Sequence, residues 1–114
     1  MTPDRFARTP EPPYFAVVFT SRRAEGDDAA YAAVAARMVE LALDREDCLG
    51  VESARDDSGF GITVSYWKSE EAIAAWRADA DHAAARERGR GTWYDRFEVR
   101  VARVDRAYSW SAKQ

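Results

Sequence analysis

The sequence of 114 residues predicts a single α+β domain with the element order β-α-β-β-α-β. Four runs rich in β-branched and aromatic residues predict the strands, and two stretches with apolar residues at helical spacing predict the helices. Turn residues separate these elements. The order is that of the split βαβ, or ferredoxin-like, arrangement, in which both helices cover one face of an antiparallel sheet.

The chain begins with a segment, residues 1–13, that is rich in proline and in charged residues and predicts a flexible N-terminal arm. We expect the single domain to span residues 14–110. Its first strand is the continuous apolar run Tyr14 to Thr20, which is typical of a strand covered on both faces.

The first helix is predicted from Ala29 to about Leu43, after a turn and cap at Gly26, Asp27 and Asp28. Its inward face comprises Tyr31, Val34, Met38, Leu41 and Ala42.

Two short strands follow, from Cys48 to Ala54 and from Phe60 to Trp67. The turn residues between them, Asp56 to Gly59, predict that they form a hairpin.

The second helix begins after Ser69, a cap residue, and its inward face carries Ala72, Ile73, Trp76 and Ala80. We therefore expect Trp76 to point at the sheet. The helix can extend past His82, and two glycines, Gly89 and Gly91, are predicted to end it.

The last strand is predicted from about Thr92 to Tyr108, with a bulge or bend where the apolar parity switches near Ala102. A strand of this length predicts that it reaches another subunit. Strands one and three are apolar on both faces, so we predict a homodimer through the open sheet face and the long C-terminal strand.

Composition excludes several classes of function. The formal net charge is −3 without a sustained basic stripe, so no nucleic-acid role is predicted. The sequence has neither an apolar leader nor a membrane-length apolar run, which predicts a cytoplasmic protein without a membrane role. A single cysteine, Cys48, and a single histidine, His82, make a metal site improbable.

From Tyr14 to Tyr108 the chain resembles the antibiotic biosynthesis monooxygenase family of dimeric α+β barrel proteins. The resemblance rests on the element order, on SYWKSEEAIAAW followed by a histidine six residues after the last tryptophan, and on the closing WYDRFEVRVARV. The family includes cofactor-free quinol-forming oxygenases and a haem-degrading branch. The resemblance therefore implies a dimer and a monooxygenase activity.

Applied residue by residue, the resemblance disfavours haem degradation. Trp76 matches the helix tryptophan that haem-degrading members place against the macrocycle. The position of their iron-ligating histidine falls at Arg86, and arginine does not ligate iron. Several members also use an asparagine on the first strand; this sequence contains no asparagine, and Thr20 or Ser21 occupies about that place.

The candidate site residues each have a structural alternative. His82 is the candidate catalytic base, because an imidazole titrates near neutrality, and its alternative is a surface role. Trp76 either walls a pocket or fills the core, and Arg86 either binds a carboxylate or phenolate or is an exposed helix-end residue. The aromatic residues at the strand ends either stack on a planar substrate or fill the dimer interface: Tyr66, Trp67, Trp93 and Tyr94.

Two functions remain open. In the first, the protein is a small oxygenase without a cofactor, and an apolar cavity between sheet and helices binds an aromatic, quinol-type substrate near Trp76, Tyr66, Thr20, Arg86 and Tyr94. In the second, the same cavity binds a small ligand without chemistry, or the protein is a regulatory dimer.

Overall fold

The computed structural model describes residues 5–26, 28–86 and 93–112, and leaves the side chains of residues 28, 30 and 81–86 undescribed. Within these ranges the predicted element order is confirmed. The elements are β1 (Tyr14–Arg23), α1 (Asp28–Leu43), β2 (Cys48–Arg55), β3 (Phe60–Trp67), α2 (Glu70–Arg86) and β4 (Tyr94–Val104). The strands form one antiparallel sheet in the order β2-β3-β1-β4, so the predicted ferredoxin-like α+β fold is confirmed.

Local hydrogen bonds explain where the hairpin turns and where α2 begins. The Asp56 carboxylate accepts hydrogen bonds from the Ser58 hydroxyl at 2.6 Å and from the Phe60 backbone N–H at 3.1 Å. The bond from Ser58 is the main cause that lowers the pKa of Asp56. Gly59 follows with a φ of 94°, which favours glycine. At α2, the Ser69 hydroxyl accepts from the backbone N–H of Ala72 at 3.1 Å, as expected of a cap.

The hydrophobic core lies between the helices and the sheet around Trp67, whose side chain is completely buried. Trp67 packs with Val17 and with small residues from both helices, Ala42 and Ala72. Its indole N–H donates to the buried Ser65 hydroxyl at 2.8 Å, so no polar atom of the ring lacks a partner. Because side chains alternate along a strand, Val17 identifies the face of β1 that the helices cover, and we call it the helix face.

An extra residue in β4 changes which side chains reach the helix face. Arg22 pairs with Arg96, but Arg23 pairs with Tyr94, so Asp95 is bulged out between the two pairs. Tyr94 therefore shares the helix face with Phe97, although simple alternation would place them on opposite faces. A similar irregularity in β2, next to Gly50, places Cys48 and Val51 on the same face.

The predicted bulge near Ala102 is wrong, and β4 is shorter than predicted. The register between β1 and β4 is continuous from Arg96 to Val104. Apolar residues occur at Ala102 and Val104 because they lie beside Ala16 and Tyr14 on the open face of the sheet. The strand ends at Val104 because its partner β1 begins at Tyr14.

The described part of the N-terminal segment, residues 5–13, lies against β2 and covers one end of the open face. Its hydrogen bonds to the domain include Arg5 Nη2 to the Ser53 carbonyl at 2.8 Å, Ala7 N–H to Glu52 Oε2 at 3.0 Å, and Thr9 Oγ1 with the Tyr14 hydroxyl at 3.0 Å. These contacts hold the described arm in place in this structure. The boundary between a flexible arm, 1–13, and a domain, 14–110, stays a prediction.

On β3 the open face presents apolar side chains to solvent, beside the charged side chains of Arg96, Glu98 and Arg100 on β4. Phe60 is 45% and Ile62 is 42% exposed. After β4, Tyr108 and Trp110 are 99% and 84% exposed. No helix within the described residues is both long and apolar enough to cross a bilayer. The cytoplasmic location stays a prediction.

Candidate functional site

The sheet separates the predicted site residues into two groups. Trp76 lies on the helix side, half-buried against Trp67 with ring centroids 5.5 Å apart, as expected of a residue that points at the sheet. Tyr94 lies on the same side. Thr20 and Tyr66 lie on the open face, because Thr20 pairs with Ile62 and Glu98, and Tyr66 pairs with Ala16. A ligand that contacts Trp76 therefore cannot reach Thr20 or Tyr66 without crossing the sheet.

Tyr66 belongs to a polar cluster beneath the N-terminal arm. Its hydroxyl donates to Glu52 Oε1 at 2.6 Å, and its ring packs edge-on against Tyr14 at 5.9 Å. Burial and the bond to the Glu52 carboxylate raise the pKa of Tyr66 to about 12. Tyr66 is thus a protonated donor that orients the Glu52 carboxylate, which also accepts the backbone N–H of Ala7 in the arm.

His82 and Arg86 belong to the last turns of α2. Their side chains lie outside the described residues, and their roles in the site stay predictions. Elsewhere in the described part of the chain, no group of three or more His, Cys, Asp or Glu side chains is arranged to hold a metal ion.

Two arginines and two tyrosines meet on the helix side at the far end of the sheet from Trp67. We call Arg23, Tyr31, Arg55 and Tyr94 the arginine–tyrosine cluster. The Arg23 guanidinium carbon lies 4.2 Å from the centre of the Tyr31 ring, and that of Arg55 lies 5.5 Å from the same ring. Arg55 is also 5.9 Å from the Tyr94 ring. Both distances to Tyr31 fall within the range of cation–π contacts.

The position of Arg55 depends on two small residues in the row that crosses β1, β3 and β2. Ser21 is only 2% exposed, and its hydroxyl accepts from Arg55 Nη2 at 2.8 Å. Arg55 Nη1 donates to the Gly59 carbonyl. Gly61 lies directly under the guanidinium, since a Cβ at this residue would be 2.7 Å from Arg55 Cζ. The missing side chain therefore lets the guanidinium lie close to β3.

Tyr94 is the most strongly perturbed group of the cluster. Its hydroxyl lies 3.2 Å from that of Tyr31. Burial, followed by this hydrogen bond, raises the pKa of Tyr94 far above its usual range, although the charges of Arg55 and Arg23 oppose the shift. Tyr94 therefore stays protonated at neutral pH. It can donate a hydrogen bond to a ligand, but it does not act as a base there.

Aromatic rings continue the cluster along β1 and β4. Phe19 packs edge-on against Tyr94 at 5.3 Å and is stacked on Phe97 at 5.5 Å with an interplanar angle of 27°. Trp93 lies 6.0 Å from Tyr31. Phe97, Val99 and Val101 remain about half exposed on the helix face of β4. The arrangement combines apolar rings with two guanidinium groups, which suits a planar, electron-rich or anionic molecule.

Sequence reasoning identified Tyr94 but not the other members of the cluster. Tyr31 fitted the apolar face of α1, and nothing in the local sequence distinguished Arg23 or Arg55 from surface arginines. The register pairs Arg55 with Gly61 and Gly61 with Ser21. Such a pairing of arginine, glycine and serine across three strands is visible only once the register is known.

Comparison with known proteins supports the same family as the sequence pattern. The family model for antibiotic biosynthesis monooxygenase matches residues 14–88. The chain is 53% identical over 103 residues to the uncharacterized protein YqjZ of Bacillus subtilis (strain 168), and the match covers 90% of each chain.

Solved structures of low sequence identity share the fold. One is SnoaB, a cofactor-independent oxygenase from Streptomyces nogalater, with a TM-score of 0.64, 12% identity, and coverage of 89% of this chain and 98% of that one. Another is PA3566 from Pseudomonas aeruginosa, with a TM-score of 0.63, 17% identity, and coverage of 86% and 98%. The model match and the sequence identity together show that the chain belongs to the antibiotic biosynthesis monooxygenase family.

Proposed function

We propose that the protein is a small-molecule monooxygenase that oxidises an electron-rich, quinol-type aromatic substrate on the helix side of its sheet without a cofactor. Family membership supports a monooxygenase, and the cofactor-independent oxygenase SnoaB shares the fold. The observation that carries the proposal is the arginine–tyrosine cluster, which joins aromatic rings to two positive charges at one end of the sheet. A substrate that reduces oxygen itself must first ionise, and positive charge favours its anion.

The chemistry needs only the substrate and molecular oxygen. A phenol loses its proton to a base, and the phenolate passes one electron to molecular oxygen, which gives a phenoxyl radical and superoxide. The two radicals form a C–O bond, and loss of water from the hydroperoxide leaves a quinone. One oxygen atom enters the product and the other leaves as water, so the substrate is the reductant. Arg55 and Arg23 stabilise the phenolate, Tyr94 donates a hydrogen bond to it, and His82 is the proposed base.

Oxygen uptake tests the proposal directly. A panel of polycyclic phenols and quinols is added to the purified protein in an oxygen electrode, with products identified by mass spectrometry in labelled oxygen. We expect one labelled atom in the product and at least a tenfold loss of rate in His82→Ala and in Tyr94→Phe. Arg37→Gln is the matched control, since Arg37 lies on the exposed side of α1, away from the sheet, and pairs with Glu40 at 3.2 Å. A His82→Ala protein with an unchanged rate would remove the proposed base.

A non-catalytic ligand-binding or regulatory protein is the second candidate. One observation favours it: burial raises the pKa of Tyr94, so this tyrosine stays protonated and is not a base at neutral pH. Tight binding of the same aromatic molecules without oxygen uptake would support this function against the first.

A haemin titration separates both functions from haem degradation. We expect no stoichiometric shift of the Soret band when haemin is added to the protein. A shifted band that decays when reductant and oxygen are added would place the protein in the haem-degrading branch and would contradict the interpretation of Arg86.

Family membership also supports a homodimer. We propose that the second copy covers the open face at Phe60 and Ile62 and contacts the exposed C-terminal aromatics. Light scattering at micromolar concentration is expected to give twice the monomer mass for the native protein and the monomer mass for Ile62→Lys. A dimer that survives Ile62→Lys would place the interface elsewhere.

A further inference from the structure

We infer that Arg55 determines specificity at this site, and that it selects planar aromatic ligands that carry a carboxylate beside the ring hydroxyl. The location of the ligand rests on the proposed function. The class of ligand rests on the surroundings of Arg55, which differ from those of the surface arginines.

The hydrogen bonds of Arg55 within the described residues go to neutral oxygens. A guanidinium has five N–H donors. One binds the Ser21 hydroxyl and another the Gly59 carbonyl, and neither partner carries a charge. By contrast, Arg22, Arg45 and Arg100 each form an ion pair with a carboxylate. Arg55 thus keeps donors and a full positive charge for a ligand.

The protein holds this charge in a fixed orientation. Arg55 is only partly exposed, so solvent screens its charge less than it screens that of a surface arginine. The buried Ser21 hydroxyl and the close approach to Gly61 limit the positions of the guanidinium. A planar guanidinium that is already oriented loses little entropy when it binds a carboxylate through two parallel hydrogen bonds.

The neighbouring rings favour a planar ligand over a tetrahedral anion. Tyr31 and Tyr94 meet edge-on at 5.8 Å beside Arg55, and Phe19 and Phe97 extend the apolar surface along β1 and β4. A flat acid can contact these rings while its carboxylate reaches Arg55. Arg23 borders the same region, with its guanidinium carbon 4.2 Å from the centre of the Tyr31 ring.

Binding without oxygen provides the test, because turnover is then impossible. A hydroxynaphthoic acid with adjacent hydroxyl and carboxylate groups, and the corresponding naphthol, are titrated under argon and followed by tryptophan fluorescence and calorimetry. We expect the acid to bind about tenfold or more tightly than the naphthol, as a charged pair of hydrogen bonds predicts. Arg55→Gln should bind both equally, and Arg37→Gln, which removes an exposed arginine of α1, should keep the preference.

Equal binding of the two probes by the native protein, or an undiminished preference in Arg55→Gln, would overturn the inference. Inorganic phosphate is titrated in competition with the acid. Displacement of the acid by phosphate at equal concentration would also overturn the inference, because the site would then select ligands by charge alone. Arg55→Lys is the control for misfolding, because it keeps the positive charge but lacks the planar set of donors. It should retain only part of the preference for the acid.

The outcomes separate this inference from the proposed function. Selective binding of the acid with no oxygen uptake from any phenol or quinol would refute the monooxygenase and support the role of Arg55. Oxygen uptake with no preference for the acid would support the monooxygenase and refute the role of Arg55.

Discussion

Gly61→Ala moves the Arg55 guanidinium without changing any group that contacts a ligand. A Cβ at residue 61 would be 2.7 Å from Arg55 Cζ and 2.9 Å from Nη2. Carbon atoms in contact prefer about 3.5–4.0 Å, so the guanidinium must retreat from β3 by about 1 Å. The bond from Nη2 to the Ser21 hydroxyl, now 2.8 Å long, then exceeds the hydrogen-bond range.

The same substitution should leave the stability of the fold nearly unchanged. Loss of the hydrogen bond to Ser21 costs about 1 kcal/mol. Gly61 is not among the described glycines with positive φ, so alanine fits its backbone and recovers about 0.4–1 kcal/mol by restricting the unfolded chain. The two effects offset each other, and we expect the free energy of unfolding to change by less than about 1 kcal/mol.

The function should change far more than the stability. A displacement of about 1 Å disrupts an aligned pair of hydrogen bonds. We therefore expect Gly61→Ala to reduce the preference for the hydroxynaphthoic acid over the naphthol about tenfold. Gly26→Ala is the control, because a Cβ at residue 26 meets no atom within 4 Å. Anaerobic fluorescence titration and urea unfolding are measured on both variants.

Two results would refute this reasoning. An unchanged preference in Gly61→Ala would show that the position of Arg55 over Gly61 does not select the ligand. A loss of stability above about 3 kcal/mol would show that the new methyl group displaces the backbone rather than the end of a side chain.

Three further predictions concern stability. Trp67→Ala should lower the free energy of unfolding by about 3–5 kcal/mol, because Trp67 is completely buried; urea unfolding checks it, and a cost below about 1 kcal/mol would contradict it. Ser69→Ala should cost about 1 kcal/mol in the same assay, because the N–H of Ala72 loses its cap, and Ser69→Asp should retain the stability. The pKa of Tyr66 is raised from 10.0 in a free tyrosine to about 12, so its stabilising effect is fully present below pH 10 and is lost as the pH rises toward 12. Thermal melts from pH 8 to 12 should show this loss in the native protein and a weaker one in Tyr66→Phe; identical slopes would remove Tyr66 as the cause.

The fold was predictable because its signals are local. The alternation from Phe60 to Trp67, the cap at Ser69 and the turn from Asp56 to Gly59 each determine the backbone within a few residues. The position of Trp67 does not follow in the same way. It is predicted to stack on a substrate or to fill the dimer interface, but it is completely buried in the core between the helices and the sheet.

The site was much less predictable, because its residues come from distant parts of the chain. Tyr94 illustrates the reason: its face depends on one bulged residue, Asp95, and a one-residue shift in a strand reverses the face of every side chain beyond it. Thr20 is a predicted site residue because it occupies about the place of an asparagine that several family members use, and Tyr66 because aromatic rings at strand ends can stack on a planar substrate. Strand pairing nevertheless places both on the other face from Trp76.

By itself the sequence determined the class of fold and the family resemblance, since caps, turns and apolar periodicity act over a few residues. The meeting of Arg23, Tyr31, Arg55 and Tyr94 was decided only by the tertiary structure. The physical reason is register: the Arg55 guanidinium can lie close to β3 only because pairing places Gly61 beneath it and the Ser21 hydroxyl within 2.8 Å. No local pattern encodes which residues of three strands share one row.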